Sequence, residues 1–304
     1  DVTGSLIITE PGEYHLQNDI IDSPSTRCIQ IQASNVIFDG NGFTIDGVDS
    51  LSSDCFFVLT ASQRLQNVTI RNVTITDWGT GVYSDRVDSY WIENNRISSS
   101  STGVRVSDSD KVHLLANNIS FNTADGVYGY PSVNLLIEDN DFSNNGYHGI
   151  TMIGDGSSNQ VIVRNNRANE NGNSGLFIGK ITNGIIADNT AMRNSQDGFS
   201  IFGDNFNFSN NTATFNDNSG LVSRGNNSII QDNILNDNSQ AGGTNTGSGI
   251  FIWDDITSTN LTIFNNSLER NSGGLELNGV YNSLIFHNWV EDNYFCSIYI
   301  KNFH

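Results

Sequence analysis

The chain has little of what many folds and several functions require. Of its 304 residues, three are proline, three are cysteine and three are lysine, against 29 glycines. Scarce proline removes the residue that most often interrupts hydrogen-bonded ladders, so extensive sheet is open to this sequence. Three cysteines, Cys28, Cys55 and Cys296, are too few for a disulfide scaffold. Basic residues are also few: 14 Lys and Arg face 33 Asp and Glu, for a formal charge of -19. That balance excludes the broad basic surface that nucleic acid needs and fits a soluble protein outside the cell. No apolar run reaches 18 residues, so no helical membrane insertion is expected. The chain starts at Asp1 with no signal-peptide pattern and reads as a mature form or an excised piece. Sequons at Asn67, Asn72, Asn118, Asn207, Asn210, Asn226, Asn260 and Asn265 suit a secreted or cell-surface protein.

What is present is a repeat. From residue 36 onward, segments such as NVTIRNVTITDWGTGVYSDRVD, SYWIENNRISSSSTGVRVSDSD and NGIIADNTAMRNSQDGFSIFGD align beneath one another. Each reads as an apolar strand, a turn with Asn, a second short strand, a polar turn, then Gly and an alternating strand. An Asn column is read at Asn41, Asn95, Asn118, Asn140, Asn166, Asn189, Asn211, Asn233, Asn266 and Asn288, with Val73 as the exception; most steps are 22 or 23 residues. A period of this length without a helical pattern is that of a β-solenoid. The expected fold is all-β: a single-stranded right-handed parallel β-helix of about eleven coils, one domain over 1–304. Residues 1–27 are expected to lie outside the register as an N-terminal cap, with coils from 28 to 304. Asn suits the turn because it tolerates left-handed backbone and its amide can stack from coil to coil. Cys28 and Cys55 fall one coil apart, roughly 4.8 Å in a parallel ladder, which leaves open a bridge or two thiols. Cys296 is expected as a free buried thiol. The C-terminal KNFH has no cap pattern, pointing to a further domain or subunit over that end.

Alternation assigns faces. After the repeat's Gly, Val82, Val104, Val127, Ile150, Leu176, Phe199, Leu221, Ile250, Leu275 and Ile298 point inward. The next residues point out and include Tyr83, Arg105, Tyr128, Phe177 and Phe251, and two further on come Tyr130, Phe202, Arg224 and Trp253, with Lys180 beside Gly179. Exposed aromatics among polar groups suit sugar rings, which have apolar faces and polar edges. β-propensity alone also places aromatics on strands, and that is the bland alternative. Before the Gly the residue is usually small (Thr80, Thr102, Ser174, Ser219, Ser248), but Asp125, His148 and Asp197 break the rule.

Asp125 and His148 are one coil apart, with Tyr128, Tyr130, Arg105 and Lys180 nearby. Proton abstraction beside a uronate carboxylate asks for a base, an acid and a cation, roles open to His148, Tyr128 or Tyr130, and Arg105 or Lys180. Asp125 completes the catalytic set, while Tyr83, Phe177, Asp197, Phe202, Arg224, Phe251 and Trp253 are expected to bind substrate. Asp125 and Asp197 lie three coils, roughly 14 Å, apart, too far for a glycosidase pair; only Asp155 folding back would restore one. No cofactor is expected. Gly154–Gly156, or Asp254 with Asp255, could hold a structural calcium ion through oxygens.

These repeats resemble the parallel β-helix family of carbohydrate-binding proteins and sugar hydrolases, including NosD-like archaeal surface proteins. ITEPGEYHLQNDIIDS followed by NVIFDGNGFTIDG is especially similar to the latter. Over residues 125–180 the chain resembles the mannuronan C5-epimerases: YGYP at 128–131 is similar to the family's Tyr-Gly-Phe-Asp-Pro-His stretch, and NNGYHG and NGNSGLFIGK to its following coils. Tyr128 matches the family's catalytic tyrosine. The family's Asp and His around the proline are absent, and its next-coil aspartate corresponds to His148. The resemblance implies an extracellular enzyme on an acidic polysaccharide, a lyase or epimerase acting on a uronate-containing glycan. A non-catalytic surface module, binding glycan or serving as a spacer, and a polysaccharide hydrolase are the alternatives.

Overall fold

Strands that alternate in polarity and recur once per repeat pair with their own copies in the next repeat, and a computed structural model of the protein shows this. It describes residues 1–61, 63–130, 133–239, 247–253 and 258–301. All pairing is parallel: a fifteen-stranded sheet, a twelve-stranded sheet and a five-stranded sheet run along one axis, joined by a short two-stranded pair. The main path of the largest sheet runs from Leu6–Ile8 to Cys296–Lys301. The expected inward column is in register along it from Val82 to Ile298. All its members are buried except Ile298, which is 50 % exposed on the last coil.

The N-terminal segment corrects one expectation. Leu6–Ile8 pairs with Arg27–Ile31, and Gly12–His15 pairs with Val36–Asp39. Residues 1–27 therefore extend the sheets by a turn of their own and do not lie outside the register. They carry the strand alternation with a single asparagine, Asn18, which is exposed.

Two ladders of asparagine side chains run inside the turns. In the first, Asn117 Oδ1 accepts from the main-chain N–H of Asn95 (3.0 Å), and the N–H of Asn117 donates to Asn140 Oδ1 (2.8 Å). The ladder continues through Asn166, Asn189, Asn211, Asn233 and Asn266 to Asn288. Two residues placed in this column from the sequence are not rungs: Asn118 is exposed and its neighbour Asn117 is the buried rung, and Asn41 is exposed with left-handed backbone at φ 50°. A second ladder of Asn122, Asn145, Asn171, Asn194, Asn216, Asn238, Asn271 and Asn293 has the same pattern. The left-handed backbone belongs to the residue before each rung, such as Ala116, Asp139 and Asn165. The rung's amide is used for hydrogen bonding instead.

The repeat's glycine has a steric cause. A Cβ on Gly126 would stand 2.6 Å from the carbonyl of Gly149 and 2.7 Å from Asn145 Nδ2. Cys28 and Cys55 lie side by side, as their spacing implies, and both are buried free thiols. Cys296 is also free, but only half-buried, because it sits on the last coil.

Candidate functional site

The outward column expected from the sequence lies along one face of the largest sheet. That column reads Phe57, Tyr83, Arg105, Tyr128, Thr151, Phe177, Ser200, Val222 and Phe251 in unbroken register. The side chains interlock. The Arg27 guanidinium lies 3.4 Å from the centroid of Phe57, which stacks on Tyr83 at 5.2 Å and 7°. Arg105 stands 5.7 Å from each of the Tyr83 and Tyr128 rings, bridging two coils by cation–π contact. Further along, Phe177 meets Phe202 at 5.6 Å, Arg224 lies over Phe202 at 5.4 Å, and Phe251 and Trp253 are 6.3 Å apart.

At the middle of this face the expected cluster assembles. Asp125 and His148 follow one another in the column before the glycine: the N–H of Gly103 donates to Asp125 O and the N–H of Gly126 to His148 O. Both side chains are buried, Asp125 at 9 % exposure and His148 at 7 %, so His148 is no solvated turn residue. Asp125 accepts from Thr151 Oγ1 at 2.8 Å. Burial pushes its carboxyl above the usual range, opposed by that bond and by His148. Burial also lowers His148, opposed by Asp125. His148 Nδ1 accepts the main-chain N–H of Ser174 at 3.2 Å, so the neutral ring carries its proton on Nε2. Tyr147 and Phe177 pack on the ring at 4.4 and 5.5 Å. Tyr128 and Tyr130 share a 2.6 Å hydroxyl–hydroxyl hydrogen bond, which raises Tyr128.

Lys180 is placed differently. Pairing runs from Ile178 opposite Ile201 to Ile181 opposite Gly203, so Gly179 and Lys180 bulge out, with Lys180 left-handed at φ 56°. Its side chain lines a cavity with Phe202 and Arg224. Asp197 is held by Ser200 Oγ, Asn218 Nδ2 and the N–H of Ser219, at 2.7 to 3.1 Å. Burial raises its carboxyl nonetheless.

Three residues of this face escaped the sequence reading. Asp54 occupies the Asp125 column three coils earlier, half-buried and raised by burial, with Thr80 as a hydrogen-bond partner and Arg27 4.0 Å away. Phe57 and Arg27 extend the aromatic stripe. Their signal was the strand RCIQI aligned over DCFFV, where Cys replaces the repeat's Gly. Asp254 and Asp255 lie outside the described residues, as does the side chain of Asp155.

A family model described as "Right handed beta helix region" matches residues 54–182, 102–256 and 181–303. The chain belongs to the right-handed β-helix family. Among curated protein sequences none matches it. Among solved structures, it is similar to the A-module of the Azotobacter vinelandii mannuronan C-5 epimerase AlgE4, with a TM-score of 0.60 and 18 % identity, over 95 % of this chain and 87 % of that one. It is also similar to a double mutant of the periplasmic alginate epimerase AlgG, with a TM-score of 0.60 and 15 % identity over 96 % and 76 %. The Dettilon tailspike protein follows with a TM-score of 0.54 and 16 % identity, over 98 % of this chain and 60 % of that one. At these identities the likeness is one of fold.

Proposed function

We propose that the protein is an extracellular enzyme that acts on a uronate-containing polysaccharide by proton abstraction next to the carboxylate, as a lyase or an epimerase. The observation that carries this reading is the meeting of Asp125, His148, the Tyr128–Tyr130 pair and Arg105 on consecutive coils of an aromatic-lined face. The two alginate epimerases that share the fold are in keeping with it.

The roles follow from what each group has to offer. With Nδ1 occupied, His148 presents an N–H and suits charge stabilisation better than proton removal. Arg105 supplies a permanent positive charge for the sugar carboxylate as negative charge builds on it. Proton exchange then falls to the Tyr128–Tyr130 pair, whose short hydrogen bond lets one hydroxyl support the other while a proton is taken up. In the lyase form, starting with one hydroxyl of the pair ionised beside Arg105, the phenolate takes the C5 proton, the C5–H electrons form the C4–C5 double bond, and the C4–O4 bond breaks as the other phenol gives its proton to O4, so the pair ends with the same single proton it began with. In the epimerase form the same phenolate takes the C5 proton, a proton from solvent returns to C5 on the opposite face, and the pair then gives its extra proton back to solvent. Asp125 holds Thr151 and the His148 strand in place.

The test is incubation with a panel of acidic polysaccharides, recording the ultraviolet absorbance of unsaturated uronates, reducing ends and sugar-proton NMR. New absorbance that is lost in Tyr128→Phe and reduced in His148→Ala establishes the lyase. Altered NMR without absorbance establishes the epimerase. Reducing ends without absorbance would overturn the reading in favour of hydrolysis, and silence in all channels with glycan binding retained would leave a binding module.

A further inference from the structure

Two to three coils beyond His148, the groove opens into a cavity of about 220 Å³ lined by Lys180, Phe202, Asp204, Arg224 and Asn226. Its floor is backbone. Gly203 and Gly225 are stacked at φ 153° and 145°, and a Cβ on Gly225 would overlap the carbonyl of Gly203. Glycine is required at both positions because a side chain would strike the backbone of the preceding coil, Ile181 beneath Gly203 and Gly203 beneath Gly225.

The walls are chemically mixed in a specific way. Lys180 and Arg224 form no ion pair among the described residues, in a chain where most arginines do. Arg224 is held over Phe202 instead, which orients its guanidinium without neutralising it. Opposite, Asp204 Oδ1 accepts from both the main-chain N–H (2.7 Å) and Nδ2 (3.0 Å) of Asn226, so the carboxylate is fixed and its second oxygen is left to accept. Two cations, a fixed hydroxyl acceptor and an aromatic edge together match one acidic sugar. The cations take its anionic group, Asp204 takes a hydroxyl, and Phe202 takes the apolar ring edge. The volume is below the roughly 300–1,000 Å³ of drug-sized ligand pockets and suits a single ring.

We propose that this cavity is an anchoring subsite for one anionic sugar unit, a uronate or a sulfated residue, of a glycan lying along the groove. It rests on the proposed function only in taking the ligand to be a glycan. At roughly 4.8 Å per coil, it places the anchored unit about 10 to 14 Å from the His148 coil, so the subsite sets which unit of the chain reaches the reactive cluster.

The test measures binding of fluorescently labelled oligosaccharides to the full chain by anisotropy: oligouronates, sulfated carboxyl-free galactan fragments and neutral glucan fragments. The double variant Lys180→Ala/Arg224→Ala is expected to weaken binding of the anionic oligomers by at least about tenfold and to flatten its salt dependence, with neutral binding unchanged. Arg224→Lys should recover part of the loss. Pocket-dependent binding of oligouronates identifies the carboxylate as the anchored anion, and of the galactan fragments the sulfate ester. Unchanged affinity in the double variant overturns the subsite, whereas loss of turnover in Tyr128→Phe with affinity intact would leave the proposed chemistry standing. A chain that binds none of the anionic oligomers overturns both.

Discussion

Asn117 and Asn118 are adjacent and identical in chemistry, yet the structure gives them opposite weights. Asn117 is 2 % exposed, and its Oδ1 takes the main-chain N–H of Asn95 at 3.0 Å and Asn95 Nδ2 at 3.1 Å. Its Nδ2 donates to Ile92 O at 2.7 Å and to Asn140 Oδ1 at 3.0 Å. Asn117→Ala strands the amide of Asn95 and the carbonyl of Ile92 inside the solenoid. At about 1–3 kcal/mol for each of the two buried groups left unpaired, the loss comes to about 2–6 kcal/mol. The side chain of Asn118 faces solvent and hydrogen-bonds only Ser120, so Asn118→Ala is expected to cost about 0.5 kcal/mol or less. Because repeat proteins unfold locally, the cleaner readout is amide hydrogen exchange at Asn95, paired with urea denaturation of each variant. Equal destabilisation by the two substitutions, or undiminished protection at Asn95 in Asn117→Ala, would refute the ladder as a source of stability.

Three further outcomes are expected. Asp197 is raised by burial, so its folded value exceeds the unfolded one; the stability it contributes is present below its unfolded value and is lost as pH rises through the folded one. Asp197→Asn keeps the shape and should raise the melting temperature at neutral pH while flattening its pH dependence. Asp39 has the opposite sign: although burial alone would raise it, the N–H of Asn41, Asn72 and Arg71 together hold it low. Its contribution is present above the unfolded value and disappears as pH falls through the lowered one, so acid titration of Arg71→Ala should show less of this loss than the parent protein. Thiol labelling under native conditions should modify Cys296 and spare the buried pair Cys28 and Cys55, and rapid labelling of all three would contradict the packing of the first coils.

The column from Val82 to Leu275 was legible because alternation has a period of two and a one-residue slip would expose every member. The first ladder was legible except at Asn41, which is exposed, and at its tandem asparagines, where only the pairing of Leu115 with Glu93 decides that Asn117 turns inward. The second ladder was present in the sequence as Asn-x4-Asn, from Asn117 and Asn122 to Asn288 and Asn293. For the candidate site, the sequence placed Asp125, His148, Tyr128, Tyr130 and Arg105 on neighbouring coils. It had no means of showing that Lys180 bulges out toward Arg224, since a bulge is a register shift with no composition of its own. Nor could it show that the amide of Ser174 occupies His148 Nδ1, which recasts the imidazole as a donor.

A solenoid repeats its backbone, so a column of side chains that changes chemistry at a few of its coils has a cause that the repeat alone does not supply. Beside the glycine, Thr80, Thr102, Ser174 and Ser219 satisfy the turn with small side chains. Replacing them by Asp125 and His148 brings two titratable groups into burial, and burial drives each toward its neutral form. Structural use of charge elsewhere in the chain often looks different: Asp39 is answered by Arg71 at 2.8 Å and Asp88 by Arg64 at 2.7 Å, although Asp197 in the same column is held by Ser200, Asn218 and Ser219. Asp125 and His148 have no such counter-ion; they have each other, a threonine hydroxyl and a fixed backbone amide, beside two hydrogen-bonded phenols and the guanidinium of Arg105. An arrangement that costs stability in a ladder that serine would satisfy is the ground on which the chemistry proposed for that coil rests.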